Sequence, residues 1–350
     1  MNNQIKHLVR DEKLFAGIRK PIKSRKELIP RIEEVTKLCG DAAVGPLQHI
    51  IRYDTPTDGI DSEVGYQVTR EINEGDVRTH KLRKLYFFTL VHKGPQEELR
   101  DTKIQILNHM NACGLSQELE DIEIFNKFDS DDPEKNEFES QISYLAWPEI
   151  YKEQLIRVLG NELADEIWAG GENITPFTLV DERVKWVGRS IEKLKMLTNS
   201  NQQFDILSRV ALVRPEEDVS KFKKIFSETG DLNQVIETQD QELKKTSFGG
   251  FIDPHWSDGK VLHLSKVSYS KKAYDAAKNH TELRKAYCFC SLIREAKAPE
   301  VDPIFCFRAA GWARQFWEPI LGTKFKECKI TSSILKGDKF CSWEYEIPKN

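Results

Sequence analysis

The chain lacks any uninterrupted apolar stretch long enough to cross a bilayer, and Met1 to Phe15 carries charges throughout in place of the apolar core of an export signal. The expectation is a cytoplasmic protein with no membrane partner. Basic excess is missing too: the formal net charge is -4, and the one short basic cluster, Lys20, Lys23, Arg25 and Lys26, is followed at once by acids. Direct nucleic-acid contact needs a basic face or a reading helix, so this cluster is read as a solvated face. The 14 prolines and 19 glycines are scattered and form no low-complexity tract, which excludes a disordered or fibrous chain. A disulfide framework is equally unexpected, because seven cysteines, an odd number, occur in a long chain without an export signal.

What the chain has is length and asymmetry. Its 350 residues exceed what one hydrophobic core usually organises, so two domains are expected. Cys39 and Cys113 stand alone, whereas Cys288, Cys290, Cys306, Cys328 and Cys341 crowd the end of the chain. The two halves therefore differ in chemistry.

The first half repeats itself at an offset of about 74 residues. Pro21 matches Pro95, the stretch Arg25 to Leu38 matches Leu99 to Ala112, and Cys39-Gly40 matches Cys113-Gly114. After a one-residue slip, Arg52-Tyr53-Asp54 matches Lys127-Phe128-Asp129. In each copy Leu28, Ile32, Val35, Leu38 and Leu99, Ile106, Met110, Cys113 recur at helical spacing before a glycine suited to closing a helix. Each copy reads as strand, helix, strand. Ile60, Val64, Tyr66 and Val68 alternate with Asp61, Glu63, Gly65 and Gln67 as a half-buried strand would, and Asp61, beside Asp58 and Gly59, reads as turn chemistry. Phe138, Ile142 and Tyr144 share one face of a later strand and Glu139, Gln141 and Ser143 the other, while Leu82 to His92 is apolar on both faces, as a central strand is. Paired about a pseudo-twofold axis, two such units give an antiparallel sheet with two helices on one side and an open groove on the other.

These residues resemble the GyrI-like effector-binding family over about residues 5 to 147. The resemblance is carried by Phe15-Ala16-Gly17-Ile18-Arg19, Gly45-Pro46, Tyr53-Asp54, Ile60-Asp61-Ser62-Glu63-Val64-Gly65, His92-Lys93-Gly94-Pro95 with Glu98-Leu99, and Phe138-Glu139-Ser140-Gln141-Ile142. It implies a groove for lipophilic, aromatic or cationic small molecules above a buried carboxylate, placed at Glu139. A poorly solvated carboxylate regains interaction energy when an organic cation neutralises it, and aromatic walls add cation–π attraction. Glu63 is an alternative carboxylate, Tyr66, Tyr86, Phe88, Tyr144 and Trp147 are candidate wall residues, and His92 reads as a local hydrogen-bonding residue. Some members of the fold look like hydrolases of electrophilic small molecules, for which Glu139 is the only catalytic candidate.

Beyond Pro148, Tyr151 to Met196 reads as helices broken at Gly170-Gly171 and Pro176, with an apolar stripe at Ile156, Leu159, Leu163 and Ile167. A helical stop at Arg214-Pro215 and a loop at Phe248-Gly249-Gly250 and Pro254 follow. Residues 280 to 348 resemble vinyl-reductase-like and aminothiazoline-carboxylate hydrolase-like domains, through Tyr287-Cys288-Phe289-Cys290, Phe305-Cys306-Phe307, Trp317-Glu318 and Gly337-Asp338-Lys339-Phe340-Cys341. That resemblance implies cysteine metal chemistry, although Ser333 stands where a cysteine is often found. Cys288 and Cys290, alternating on a strand, with Cys306 and Cys341, would offer four thiolates to Zn²⁺. Buried thiols kept for ordinary packing are the plainer alternative, and Cys288 acting as a nucleophile with His255 or His263 ranks below both.

The expectation is thus an α+β protein with a small-molecule-binding domain at 1–148, a helical connector at 149–200 and a cysteine-containing α+β domain at 201–350. It is read as a ligand sensor that requires no cofactor, Zn²⁺ aside, and that would regulate transcription only through a protein partner or as a homodimer. The alternatives are a hydrolase using Glu139, or a cysteine- or metal-dependent enzyme in the second half.

Overall fold

The computed structural model describes residues 4–53, 59–129, 132–211, 217–243, 252–257, 260–325 and 327–347, without the side chains at 119, 217–218, 242–243 and 252–257. Asp54, Asp58, the Arg214-Pro215 stop, the Phe248-Gly249-Gly250 loop and the side chain of His255 lie outside the described residues. Mixed helix and sheet make the chain α+β. It divides into one unit of Met1–Met110 with Gln117–Leu145 and a second of Asn111–Ser116 with Ala146–Asn350. The helices expected as a connector therefore belong to the second unit.

In the first unit the order is β1 (Lys6–Arg10), β2 (Lys13–Arg19), α1 (Leu28–Cys39), β3 (Ala43–Arg52), β4 (Asp61–Val68), β5 (Arg78–Leu82), β6 (Leu85–Lys93), α2 (Leu99–Ala112), β7 (Gln117–Lys127) and β8 (Glu137–Tyr144). The strands lie in the order β1-β6-β8-β7-β3-β4-β2-β5, with antiparallel neighbours throughout. Without the edge strands β1 and β5, two equivalent halves remain. One is built from β2-α1-β3-β4 and the other from β6-α2-β7-β8, and they meet along β3 and β7. In that central pair His49 lies opposite Glu123, and 123 − 49 = 74, the repeat offset itself. A residue beside the twofold axis of a duplicated antiparallel pair faces its own counterpart, which places these two at the axis.

Local chemistry explains the helices. Ser24 and Glu27 form a capping box ahead of α1, and the glycines that follow α1 and α2 take positive φ, 47° at Gly40 and 67° at Gly114. Val35 and Cys39 of α1 pack on Ala16, Ile18, Val64 and Val68, while α2 buries Leu99, Thr102, Ile106 and Met110. Burying Val35 and Ile106 stabilises the fold by about 1.5–3 kcal/mol each. The pairing of Gly17 with Gly65 is demanded by close approach, because a Cβ on Gly65 would lie 2.2 Å from the carbonyl oxygen of Ala16.

The face of the sheet away from the helices is also buried, contrary to the open groove the alternation suggests. Only Asp11-Glu12 joins β1 to β2, and only Arg83-Lys84 joins β5 to β6, although each connection runs between opposite ends of the strand order. Three Cα steps span at most about 11 Å, so the sheet curls until its two edges approach. Phe15, Ile50, Leu82, Leu85, Phe87 and Ile122 form a second core on this far face. The curl explains why β6 is apolar on both faces without being central, and why Asp61 and Glu63 are only 4% and 1% exposed. Asp61 is a strand residue gripped by Arg19 and not part of a turn.

The second unit comprises α3 (Trp147–Leu159), α4 (Asn161–Trp168), α5 (Val180–Leu197), α6 (Ser200–Leu207), α7 (Glu217–Thr229), α8 (Leu232–Leu243), β9 (Ile252–Ser257), β10 (Val261–Lys266), α9 (Lys271–Ala276), α10 (His280–Tyr287), α11 (Ser291–Glu295), α12 (Phe307–Leu321), β11 (Cys328–Ser332) and β12 (Ser342–Glu346). Its strands form an antiparallel sheet in the order β11-β12-β10-β9. Pro254, expected in a loop, lies in the edge strand β9, where a missing N–H is tolerated. The stripe read through Ile156 to Ile167 is interrupted at Gly160, and Tyr151, Leu155, Ala164, Ile167 and Trp168 form the buried face. No described helix is long and apolar enough to cross a membrane.

Candidate functional site

Strand parity sorts the expected residues of the first unit onto two faces. Val64, Phe125 and Phe138 pack with α1 and the start of α2, so Tyr66, Phe88, Tyr86 and Tyr144 share the helix face. Glu63 and Glu139 point to the far face. The expected walls and floor thus stand on opposite sides of one sheet and cannot line a single groove. Glu139 is half-buried and accepts hydrogen bonds from Thr89 Oγ1 and Gln141 Nε2, both at 2.8 Å. Glu63 is bound by Arg52 at 2.8 Å. Tyr66 bonds Thr36 of α1, whereas Phe88 and Tyr144 stand 5.0 Å apart, with His7, Tyr86 and His109 around them. Burial lowers His7 and His109 below the ordinary histidine range, which favours their uncharged rings. His92 bonds Thr102 and the carbonyl of Pro95, the local role expected of it. Trp147 belongs to the second unit, where its ring lies against Trp186, Phe305 and the guanidinium of Arg308.

At the axis on the helix face the structure gathers residues that sequence reasoning missed. Glu123, 0% exposed, is gripped by both Nη atoms of Arg25 at 2.6 Å and by Lys103 Nζ at 3.1 Å, and Gln96 Nε2 donates to it at 3.4 Å. His49 Nδ1 lies 3.1 Å from the same carboxylate, and its Nε2 lies 2.8 Å from Ser62 Oγ. An ionised carboxylate only accepts, so His49 Nδ1 carries the proton. Asp121, two residues along β7, is bonded by Tyr53 at 2.7 Å and Gln117 at 3.1 Å and lies 3.6 Å from Lys103 Nζ. Ser140, opposite Glu123 on β8, has a buried hydroxyl with no hydrogen-bond partner among the described residues.

The electrostatics of the two acids differ. Burial acting alone would raise Glu123, but the His49 hydrogen bond, the Lys103 charge and the Arg25 hydrogen bonds outweigh it and hold the carboxyl well below the usual range. For Asp121 burial prevails over Lys103, Tyr53 and Gln117, with Glu123 adding to it, and the carboxyl is raised. The order Ser62, His49, Glu123 also resembles a nucleophile, a base and its orienting acid. Ser62 and His49 are, however, only 0% and 1% exposed, and Glu123 already carries two cations, so it has little capacity left to stabilise an imidazolium. The chain is therefore a buried polar network that fixes Glu123 in place. A detectable signal existed in the repeat offset, which pairs His49 with Glu123. The acids of β7, by contrast, read like a solvated edge.

In the second unit Cys288 follows α10 and Cys290 precedes α11, so they flank a link between helices and do not alternate on a strand. Asn279 caps α10, and the helix claims the residues up to Tyr287. Burial pushes the Cys288 thiol up to about 12. The influence of the Cys341 thiol, with burial, raises Cys306, and that of the Cys306 thiol lowers Cys341 against its own burial. Ser333 Oγ is 3.7 Å from Cys306, and the Ile334 N–H is directed at Cys341 Sγ at 3.5 Å. Asp338 of the Gly-Asp-x-x-Cys stretch accepts from the Ser333 N–H and so shapes the turn. Among the described residues no three His, Cys, Asp or Glu side chains are grouped as ligands of one metal ion, and Ser333 adds only a hydroxyl; this arrangement does not fit Zn²⁺. A separate recess of about 730 Å³ is bordered by Arg157, Arg209 and Arg314, whose charges converge on Asp205.

No family model matches the chain, and no curated protein does. Among solved structures, part of it is similar to EcmrR in a complex with DNA (18% identity, TM-score 0.36), with 40% of this chain covering 57% of that one, so this likeness leaves over two fifths of EcmrR unmatched. It is also similar to a hydrolase from Listeria innocua (14% identity, TM-score 0.32, 41% of this chain and 92% of that one). A third similar protein is SAV2435 bound to tetraphenylphosphonium (14% identity, TM-score 0.28, 43% and 97%).

Proposed function

We propose that the first unit binds small organic cations on the helix face of its sheet, above Glu123. The observation that carries this reading is a fully enclosed carboxylate at the twofold axis, neutralised by one cation from each repeat, Arg25 and Lys103. Burying such a cluster is a poor way to stabilise a fold, since a packed apolar core does as well or better, so a binding role is the better account of it. The Arg25 side chain is 39% exposed, which connects the cluster to solvent, and the Lys103 ammonium between Asp121 and Glu123 marks where a ligand's charged nitrogen would sit. Phe88, Tyr86 and Tyr144 on the same face supply aromatic surface for the rest of such a ligand. Glu139, on the far face, is the competing anchor.

Calorimetric titration with tetraphenylphosphonium separates the two. The reading expects Glu123→Gln to weaken binding at least about tenfold, or about 1.4 kcal/mol, while Glu139→Gln leaves it unchanged. A folded Glu123→Gln protein that binds as tightly as the native chain removes Glu123 from the account.

A further inference from the structure

We infer that the recess of about 730 Å³ in the second unit is a binding site for a small organic molecule carrying a phosphate monoester. It stands apart from the reading of the first unit. Arg157 reaches the recess from α3, Arg209 follows α6, Lys223 comes from α7 and Arg314 from α12, so four parts of the fold each contribute a cation. Two carboxylates pair with them. Asp205 is held by Arg157 at 2.8 Å, Arg209 at 3.0 Å and Arg314 at 3.2 Å, and Glu318 accepts from Arg314 Nε at 2.7 Å. Lys223 is exposed and has no ion pair among the described residues. Four cations against two carboxylates leave a surplus of two positive charges, which matches a phosphate monoester near neutral pH.

The guanidinium of Arg314 is fixed before any ligand arrives. Its side chain is 6% exposed, its Nη1 donates to Ser208 Oγ at 2.7 Å, and its central carbon lies 5.2 Å from the ring centre of Phe204. Glu318 is anchored in turn by the Phe325 N–H at 2.9 Å. These contacts use only part of the donor capacity. Nη1 of Arg157, both Nη atoms of Arg209 and Nη2 of Arg314 have no hydrogen-bond partner among the described residues. A guanidinium offers its N–H donors in a planar fork, and a phosphate accepts them two at a time. Burial alone would raise Asp205, but the hydrogen bonds and charges of Arg157 and Arg209 outweigh it and hold the carboxyl below its ordinary range. Three guanidiniums on a single carboxylate also set like charges side by side, a repulsion that a further anion relieves. The volume falls within the range of small-molecule sites, about 300–1,000 Å³, and Ala211, Val219 and Pro319 line it with apolar surface for the rest of the ligand.

The test is calorimetric titration of the full chain with phenyl phosphate at fixed ionic strength, with benzoate as its singly charged counterpart. Phenyl phosphate is expected to bind, and benzoate at least about tenfold more weakly, since it carries half the charge and no tetrahedral array of acceptors. Arg209→Gln should weaken phenyl phosphate about tenfold through the loss of charged hydrogen bonds. Lys223→Gln, at an exposed side chain, should weaken it about threefold. Lys224→Gln removes an equal charge one residue along α7, where the ammonium pairs with Glu228 outside the recess, and should change nothing. The preference of the native chain for phenyl phosphate over benzoate decides the matter even where a variant fails to fold. Absence of binding, benzoate bound as tightly, or equal weakening by Lys224→Gln and Lys223→Gln would each overturn the inference, as would native affinity in folded Arg209→Gln and Lys223→Gln proteins.

Discussion

The two faces of the first unit's sheet bury carboxylates in different ways. On the far face the cations come from the sheet itself: Arg10 on Glu120, Arg19 on Asp61 and Arg52 on Glu63 all stand on strands, held by the ladder on which they sit. On the helix face Glu123 is met by Arg25 from a short turn and Lys103 from α2, elements attached to the sheet by side-chain packing and not by backbone hydrogen bonds. The first arrangement fixes a structure; the second can exchange its cations while the strands stay in place. The binding role proposed above is assigned to the second arrangement for that reason.

Several substitutions break or sharpen this contrast. The largest effect is expected at Glu123→Gln, which leaves Arg25 and Lys103 without their carboxylate and should cost about 3–5 kcal/mol in denaturant unfolding. Arg25→Ala should cost less, about 1.5–3 kcal/mol, because Lys103 and His49 still hold the acid. Protonation gives a test of sign. Glu123 is depressed, so its stabilising contribution is complete above the unfolded value near 4.3 and lost as pH falls through the folded value. Asp121 is raised, so stability is instead lost as pH rises from the unfolded value near 3.9 through the folded one. Asp121→Asn should therefore leave stability at neutral pH unchanged or about 1 kcal/mol higher, whereas Glu123→Gln should flatten the acid limb of the stability curve. A small loss, about 0.5 kcal/mol, is expected at the half-buried Glu139→Gln, whose neighbours Thr89 and Gln141 are neutral.

Much of this architecture is legible in the chain. The repeat offset, the two glycine helix ends and the alternation of β4 and β8 locate the elements and the axis, because each depends on local periodicity. The assignment of faces is not legible. Alternating polar residues mark a solvent face only where the sheet is open, and here the curl buries Glu63 and Asp61 along with Phe15 and Phe87. The site is hidden for a related reason. Nothing local distinguishes Glu123 from its acidic neighbours on β7, and its partners Arg25, His49 and Lys103 come from three other elements. In the second unit Cys-x-Cys spacing suits a strand as well as a link between helices, and the capping residue Asn279 decides in favour of the helix.

Under the proposed reading Lys103 competes with a cationic ligand, so its removal is the most direct test. Lys103→Met keeps the aliphatic stem and deletes the ammonium lying between Asp121 and Glu123. If that ammonium occupies the ligand's place, Lys103→Met will bind tetraphenylphosphonium more tightly than the native chain, and the gain will vanish when Glu123→Gln is added. Unchanged or weaker binding by a folded Lys103→Met protein would contradict it.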